Sequence, residues 1–384
     1  MATAYSYDQI AYQLTDDYWD ATGEPTRSFD VQVGGTITVN YSALTSKGQL
    51  YAYYALEMWS DATGLNFVST NGAADITFDD NDSGAYAYSN LDRFGNIESS
   101  HVNVSTSWIA RDGNNLSNYS FQTYVHEIGH ALGLGHASNY NGSADYGQDN
   151  LYLNDSWQGT VMSYFSQNEN TYIDADFAYV ATPQIADVIA IQNLYGSAGT
   201  TRTGDTTYGD NSNAGTAWEH LTTYSRSTTY TIVDDGGEDT IDFSSSYYDQ
   251  ILDLREESIS SVRGVDGNLM IARGTEIENA IGGRGDDYLV ANDQDNVLTG
   301  GSGADVFYFF TNESPSANTD TITDFQTGTD IIVLDDGQSG VSINFDLLDI
   351  ISLGSDTSIN FGDDEIILEN VSASTVDAND FMFA

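Results

Sequence analysis

Two nine-residue runs in the second half of the chain constrain its fold more than anything else in it. Gly282-Gly283-Arg284-Gly285-Asp286-Asp287-Tyr288-Leu289-Val290 and Gly300-Gly301-Ser302-Gly303-Ala304-Asp305-Val306-Phe307-Tyr308 share glycine at positions 1, 2 and 4, aspartate at 6 and a large apolar residue at 8. A repeat this short holds one turn and one strand per copy, so copies can bury apolar surface only by stacking into a parallel β-helix or roll. The runs start eighteen residues apart, and Ala291 to Thr299 between them keeps the length and the apolar eighth position, Leu298, with Asn296 in place of the aspartate. Leu289, Leu298 and Phe307 are then expected to form a buried ladder. Asp287 and Asp305 should face one layer on one side, and Asn292, Gln294 and Asn296 the other. With only two complete repeats, a short stack is predicted.

The turns also suit a cation. Calcium takes six to eight oxygen ligands, and glycine-rich turns expose the carbonyls of Gly283, Gly285, Gly300, Gly301 and Gly303 while Asp287 and Asp305 close the site. The Asn292, Gln294 and Asn296 side offers a weaker set. Folding of this half is expected to be linked to calcium.

The first half has a different texture. A helix is predicted over Ser46 to Ala62, stopped by Gly64. Another follows Thr182 as N-cap and Pro183 at the first position, with Ile185, Val188 and Ile189 at helical spacing and Gly196 as its end. Thr36 to Tyr41, Leu65 to Ser69, Asp75 to Asp79 and His101 to Ser105 read as short strands. After Gly199 helical periodicity disappears, and short apolar runs such as Tyr230 to Val233 and Ile331 to Leu334 alternate with turn residues. The prediction is an α+β domain over 1–198 and an all-β domain over 199–384.

Charge removes several functions. Ten Lys+Arg against 58 Asp+Glu give a net charge of −48, and Lys47 is the only lysine, so nucleic acid and anionic membranes are poor partners. Yet 26 Tyr, 16 Phe and 5 Trp supply the surface of a folded chain, whose acidity is met by bound cations or saline surroundings. No run approaches the roughly 20 apolar residues of a membrane span, and Met1 to Asp8 lacks the pattern of a secretory signal. Without cysteine, any metal must be bound through histidine, carboxylate, tyrosine or carbonyl oxygen.

Three of the five histidines fall in His126-Glu127-Ile128-Gly129-His130-Ala131-Leu132-Gly133-Leu134-Gly135-His136. On a helix His126 and His130 share a face, and Gly133 permits the sharp exit that brings His136 to the third position. Three neutral imidazoles suit one zinc ion and leave a position open for water, whose pKa zinc lowers to about 7. Glu127 stands where it can take that proton and pass it to a leaving amine. His101 and His220 are isolated in polar or strand-like contexts and read as ordinary residues.

Downstream lies Gly159-Thr160-Val161-Met162-Ser163-Tyr164. With the long histidine motif, this segment resembles the serralysin family of zinc metalloproteases, whose structural methionine turn Met162 would supply. The resemblance implies that Tyr164 ligates zinc at rest and swings aside to hydrogen-bond the oxyanion. It also covers Thr201 to Thr206 and Asp234 to Asp239, implying calcium ligands at Arg202, Gly204, Thr206, Asp234, Gly236, Gly237 and Asp239. Glu276 through its carbonyl, Glu278 and Asp320 are further implied ligands, and Ile277 to Gly283 matches the entry into the roll. Ala137 departs from the family's usual proline after the third histidine. Families that share the motif but rely on disulfides, such as astacins and adamalysins, are disfavoured by the absence of cysteine.

The fold implied is an α+β metzincin-like protease domain followed by an all-β parallel β-roll and β-sandwich domain. The function implied is that of a secreted, extracellular zinc endopeptidase with one catalytic zinc and several structural calcium ions, acting as a monomer on protein or peptide substrates. Asp380 to Ala384, an acid followed by apolar residues, resembles a signal for type I secretion machinery, and a proteinaceous inhibitor is a further implied partner. Substrate would lie along an edge strand at Gly84 to Tyr88, touching Ala85, Tyr86 and Ala87. Two other classes fit parts of the sequence: a calcium-dependent adhesion protein with an inactive protease-like domain, and a zinc amidase. An intact Glu127 argues against the first, and the methionine turn against the second.

Overall fold

The computed structural model describes residues 2–111, 115–215, 217–219, 228–311, 318–335, 337 and 344–384. His220 lies outside them. The chain forms two compact units, the first made of the described residues within Met1–Thr201, Thr223–Asp235 and Gly267–Arg273, and the second of the rest. No helix among the described residues is long and apolar enough to cross a membrane.

The first unit is built on a five-stranded sheet of β1 (Thr36–Asn40), β2 (Asn66–Ser69), β3 (Ile76–Asp79), β4 (Ala85–Leu91) and β5 (Ile97–Val104), in the order β2-β1-β3-β5-β4. The first four neighbours are parallel, and β4 runs antiparallel to β5 at the edge. β5 begins four residues before the strand predicted from His101, because Ile97 to Ser100 complete its pairing with β4. His101 sits in β5 with Nδ1 2.9 Å from Thr77 Oγ1 and Nε2 3.6 Å from Asp79.

Among the described residues, six α-helices accompany this sheet: α1 (Tyr7–Tyr12), α2 (Tyr18–Thr22), α3 (Ser46–Thr63), α4 (Thr106–Ile109), α5 (Tyr119–Ala131) and α6 (Ile185–Tyr195). α3 starts where the Thr45 hydroxyl accepts the Gly48 N–H and ends at Gly64, whose φ of 72° few other residues tolerate. Its buried face, Tyr51, Ala55, Trp59 and Ala62, follows helical spacing, and Trp59 Nε1 donates to Val125 O of α5 at 2.9 Å. α6 begins two residues later than predicted. Its N-cap is Gln184 rather than Thr182, because the Asp187 carboxylate takes the Gln184 N–H at 2.8 Å in a capping box. Also in this unit, Thr228–Ile232 runs parallel to Tyr179–Val180 and, through Tyr230 to Ile232, to residues 269–271.

The second unit is a parallel β-roll in which successive strands alternate between two sheets. Asn279–Gly283 pairs with Val297–Gly301, and Tyr288–Val290 with Val306–Phe310, both offset by the eighteen residues of the repeat. Leu289, Leu298 and Phe307 are all fully buried. The stack is longer than two repeats predict. Val297 pairs onward with Thr321 and Val306 with Ile331, and the strands continue to Asp364–Leu368 and Phe381–Phe383. These later turns pair in parallel without the glycine pattern, because a parallel ladder needs only register and apolar inward residues such as Ile322, Ile332 and Ile366. Asp349–Leu353 and Asp356–Phe361 close one sheet as an antiparallel hairpin.

Removing the ring at the centre of the ladder should show whether the apolar eighth positions support the roll. Phe307→Ala is expected to cost about 3–5 kcal/mol, read as a lower urea midpoint by far-UV circular dichroism; an unchanged midpoint would contradict it.

Candidate metal centre and cleft

α5 carries the first two histidines. The Asn118 side-chain oxygen caps it by accepting the Phe121 N–H at 2.9 Å, and four-residue spacing puts His126 and His130 on one face with ring centres 4.7 Å apart. The helix ends at Ala131. Gly133 then turns the chain at φ 116°, where any side chain would collide with the Arg27 carbonyl. His136 returns with its ring centre 4.5 Å from His130 and 5.5 Å from His126. One ring nitrogen from each of the three lies within 4.8 Å of the others.

Hydrogen bonds decide which nitrogens those are for two of the three. His126 Nδ1 lies 2.8 Å from Val161 O and His130 Nδ1 2.8 Å from Leu134 O, while His136 Nδ1 lies 3.1 Å from the Tyr18 hydroxyl. A carbonyl can only accept, so Nδ1 of His126 and of His130 carries the proton and Nε2 keeps its lone pair. Nε2 of His130 and His136 stand 3.0 Å apart. Burial lowers the pKa of His126 to about 4 and of His130 to about 3, the latter helped by His126, and puts His136 well below its usual value. At neutral pH the site is a cluster of uncharged imidazoles with converging ring nitrogens, which is the donor set a zinc ion takes.

Glu127 sits beside them, 6% exposed, and burial alone raises its carboxyl to about 8. A cation nearby would bring it down again. Met162 is fully buried, with Sδ where a Cβ on Gly129 would come within 2.7 Å, so the glycine between the two helical histidines lets the turn pack against α5. The Ala137 N–H donates to Met162 O at 3.3 Å, a bond the family's usual proline could not make. Tyr164 lies with its ring centre 4.7 Å from that of His136 and 4.6 Å from that of Tyr140, and its hydroxyl accepts the Gly142 N–H at 3.3 Å.

Two buried carboxylates that sequence reasoning missed anchor this turn. Asp187 accepts from Thr160 Oγ1 at 2.5 Å and Val161 N at 2.7 Å, and Asp155 accepts from the hydroxyls of Ser138 and Ser163, each at 2.6 Å. Burial raises Asp187 to about 7 and Asp155 to about 6. The helix-start spacing of Gln184 and Asp187 was a usable signal for the first; nothing local marks the second.

A cleft of about 500 Å³ runs past the histidines. Ala85, Tyr86 and Ala87 of β4 line it together with Glu127 and Tyr164, and so do Tyr18, Trp19 and Arg27, which the sequence did not single out. β4 is an edge strand of the sheet, as β2 is on the opposite side.

In the second unit the residues expected at calcium fall into three groups. Gly283, Gly285, Asp287, Gly300, Gly301, Gly303 and Asp305 meet at one turn of the roll, where Asp305 Oδ1 accepts the Asp287 N–H at 2.9 Å and the buried Asp305 Oδ2 has no hydrogen-bond partner. Asn292, Gln294, Asn296, Glu278 and Asp320 meet at another: Asn296 donates to the Glu278 carbonyl at 3.0 Å through its amide and to Asp320 at 2.9 Å through its backbone. Arg202, Gly204, Thr206, Gly236, Gly237 and Asp239 form the third, with the Thr206 N–H on Asp239 at 2.7 Å and the Asp239 N–H on Glu278 at 2.7 Å. Asp234 is buried in the first unit, and Glu276 is exposed. Burial raises Asp287 to about 6 and Asp305 and Asp320 to about 7, against backbone hydrogen bonds that favour the charged forms.

Comparison with known proteins agrees with this geometry. The matrixin family matches residues 37–144 and the M10 peptidase serralysin C-terminal family residues 197–352. A serralysin from Photorhabdus luminescens is 37% identical over 78% of this chain and 68% of its own. Metallopeptidase AprA from Pseudomonas marginalis is 36% identical over 77% and 67%, and serralysin C from Dickeya chrysanthemi 37% over 75% and 64%. Among solved structures, the extracellular lipase LipA from Serratia marcescens covers 47% of this chain and 37% of its own at 14% identity, with a TM-score of 0.18, too low to bear on the fold. With the histidine cluster, the methionine turn and these relatives together, the chain belongs to the serralysin family of metzincin-type zinc metalloendopeptidases.

Proposed function

We propose that this protein is a secreted endopeptidase in which Glu127 is the general base and calcium stabilises the roll. The observation that carries the reading is the convergence of one ring nitrogen from each of three histidines, beside a buried carboxylate, on the wall of a cleft edged by β4. His126, His130 and His136 would hold zinc, with Tyr164 as a further ligand at rest. Zinc bound there supplies Lewis-acid activation of water and of the scissile carbonyl.

The remaining work falls to the chain's own groups. An extended peptide would add to the free edge of β4 at Ala85, Tyr86 and Ala87 through backbone hydrogen bonds, which favours protein substrates over small amides. Glu127 takes the proton of the attacking water and returns it to the leaving amine nitrogen. The Tyr164 hydroxyl, loosely bonded to Gly142, is free to swing toward the developing oxyanion and donate to it.

In the roll, buried carboxylates with raised pKa values mark unmet negative charge, and glycine carbonyls beside Asp287 and Asp305 complete an oxygen set suited to calcium. The Asn292, Asn296 and Asp320 cluster and the Thr206 and Asp239 cluster would take further ions, with Asp234 and the Glu276 carbonyl as ligands by resemblance. Similarity to serralysins supports an extracellular location and export by type I machinery. The Asp380 to Ala384 segment, read as its signal, includes the strand Phe381–Phe383. A single chain with its own cleft would act as a monomer, and a proteinaceous inhibitor filling that cleft is a further partner.

Glu127→Gln is expected to reduce casein hydrolysis by about 10²–10⁴-fold while zinc content stays at that of the wild type. Full activity in this variant would sink the role of Glu127, and loss of zinc would make it structural.

The acids of the roll predict an unusual pH dependence. The native carboxyls of Asp287, Asp305 and Asp320 titrate at about 6 to 7, above the unfolded value of about 3.9, so the native state binds more protons in that window. These three acids should therefore make calcium-free protein lose stability as pH rises from about 4 to 7, and saturating calcium should make the slope shallower by removing their share of it. Melting temperatures at pH 5 and pH 8, with and without calcium, test this; a calcium-free protein more stable at pH 8 would refute it.

A further inference from the structure

We propose that Tyr18 is a positioning residue for the metal centre: its hydroxyl bonds His136 Nδ1 and keeps Nε2 of the third histidine facing His126 and His130. The proposal rests on reading the three histidines as the zinc ligands.

The three imidazoles are supported unequally. His126 and His130 are turned by the carbonyls of Val161 and Leu134, whereas His136 Nδ1, near the Tyr140 backbone, also meets a side-chain hydroxyl 118 residues earlier in the chain. With Nε2 reserved for a metal, the proton resides on Nδ1 and the Tyr18 oxygen accepts it. Tyr18 is 5% exposed, and its ring meets His136 edge-on at 5.2 Å and 85°, so the imidazole is held against rotation by contact as well as by the bond.

The surrounding chain is shaped to admit this ring. A Cβ on Gly135 would come within 2.7 Å of Tyr18 Cβ and closer still to ring carbons, so only glycine lets the histidine loop pass. Before Tyr18 the helix widens into a π-turn over Gln13–Asp17, which rotates the following residues relative to a continuous α-helix and aims Tyr18 at the site. The same segment clamps the loop at three further points. Leu14 O accepts the Gly135 N–H at 2.7 Å, Gln13 donates to Asn139 at 3.2 Å, and Trp19 Nε1 donates to Gly133 O at 2.9 Å. The N-terminal helices thus form part of the metal centre although they carry no ligand.

The test is Tyr18→Phe in the full-length chain, which keeps the ring and removes the oxygen. Zinc affinity is measured by competition with a chromophoric chelator, alongside the visible spectrum of cobalt-loaded protein and the imidazole N–H proton signals of the zinc form. The expected result is a zinc affinity lower by about 10- to 100-fold, an altered cobalt spectrum and a shifted His136 signal, with the His126 and His130 signals in place as proof of fold. A Tyr18→Leu variant that loses both oxygen and ring should lose zinc more readily still. Affinity in Tyr18→Phe within twofold of a zinc-binding wild type, with an unchanged cobalt spectrum, would overturn the proposal alone. A wild type that takes up no zinc would overturn the metal-site reading and the proposal with it.

Discussion

Two backbone carbonyls, those of Val161 and Leu134, accept the Nδ1 protons of His126 and His130, and the metal centre depends on that constraint. It selects the tautomer that leaves the inward nitrogens bare. Burial then keeps the imidazoles neutral, at the expense of stability until a cation arrives. Three neutral imidazoles whose ring nitrogens converge this closely suit an ion better than they suit the empty fold.

Each carbonyl is itself held by distant groups. Leu134 follows the Gly133 turn, whose conformation and close approach to the Arg27 backbone exclude any side chain. Val161 belongs to the turn that Asp187 grips from the start of α6, while Asp155 grips Ser163 beyond Met162. A carboxylate buried without cationic partners is costly unless several donors meet it, and here hydroxyl and backbone N–H donors do so. The methionine turn is therefore fixed from α6 and from the Ser138 loop, and through it the orientation of His126 and the placement of Tyr164.

The roll depends on a different balance. Stacked turns bury Leu289, Leu298 and Phe307 but also bring Asp287 and Asp305 into register, and the fold accepts their repulsion through backbone donors. Beyond Asp305 the register is carried by strands without the glycine repeat, with Asp330 accepting the Asp305 N–H at 3.1 Å in the position a repeat aspartate would take. That continuation was illegible in sequence because the connecting turns are longer and of unequal length.

What the sequence determined by itself was local and periodic. The histidine motif fixes which nitrogens can share a helix face and where glycine must turn the chain, since both follow from 3.6 residues per turn and from the left-handed region. The nine-residue period likewise dictates a parallel stack with an apolar ladder. The tertiary structure alone decided the supporting groups Tyr18 and Asp155 and the reach of Asp187 from its helix start to the methionine turn. Tyr18 reaches His136 across 118 residues and Asp155 reaches Ser138 across 17, and no spacing rule encodes a contact made only when separate elements pack together. Ligand identity is written in short-range pattern, whereas ligand orientation is set by hydrogen bonds between elements that meet only in the folded chain.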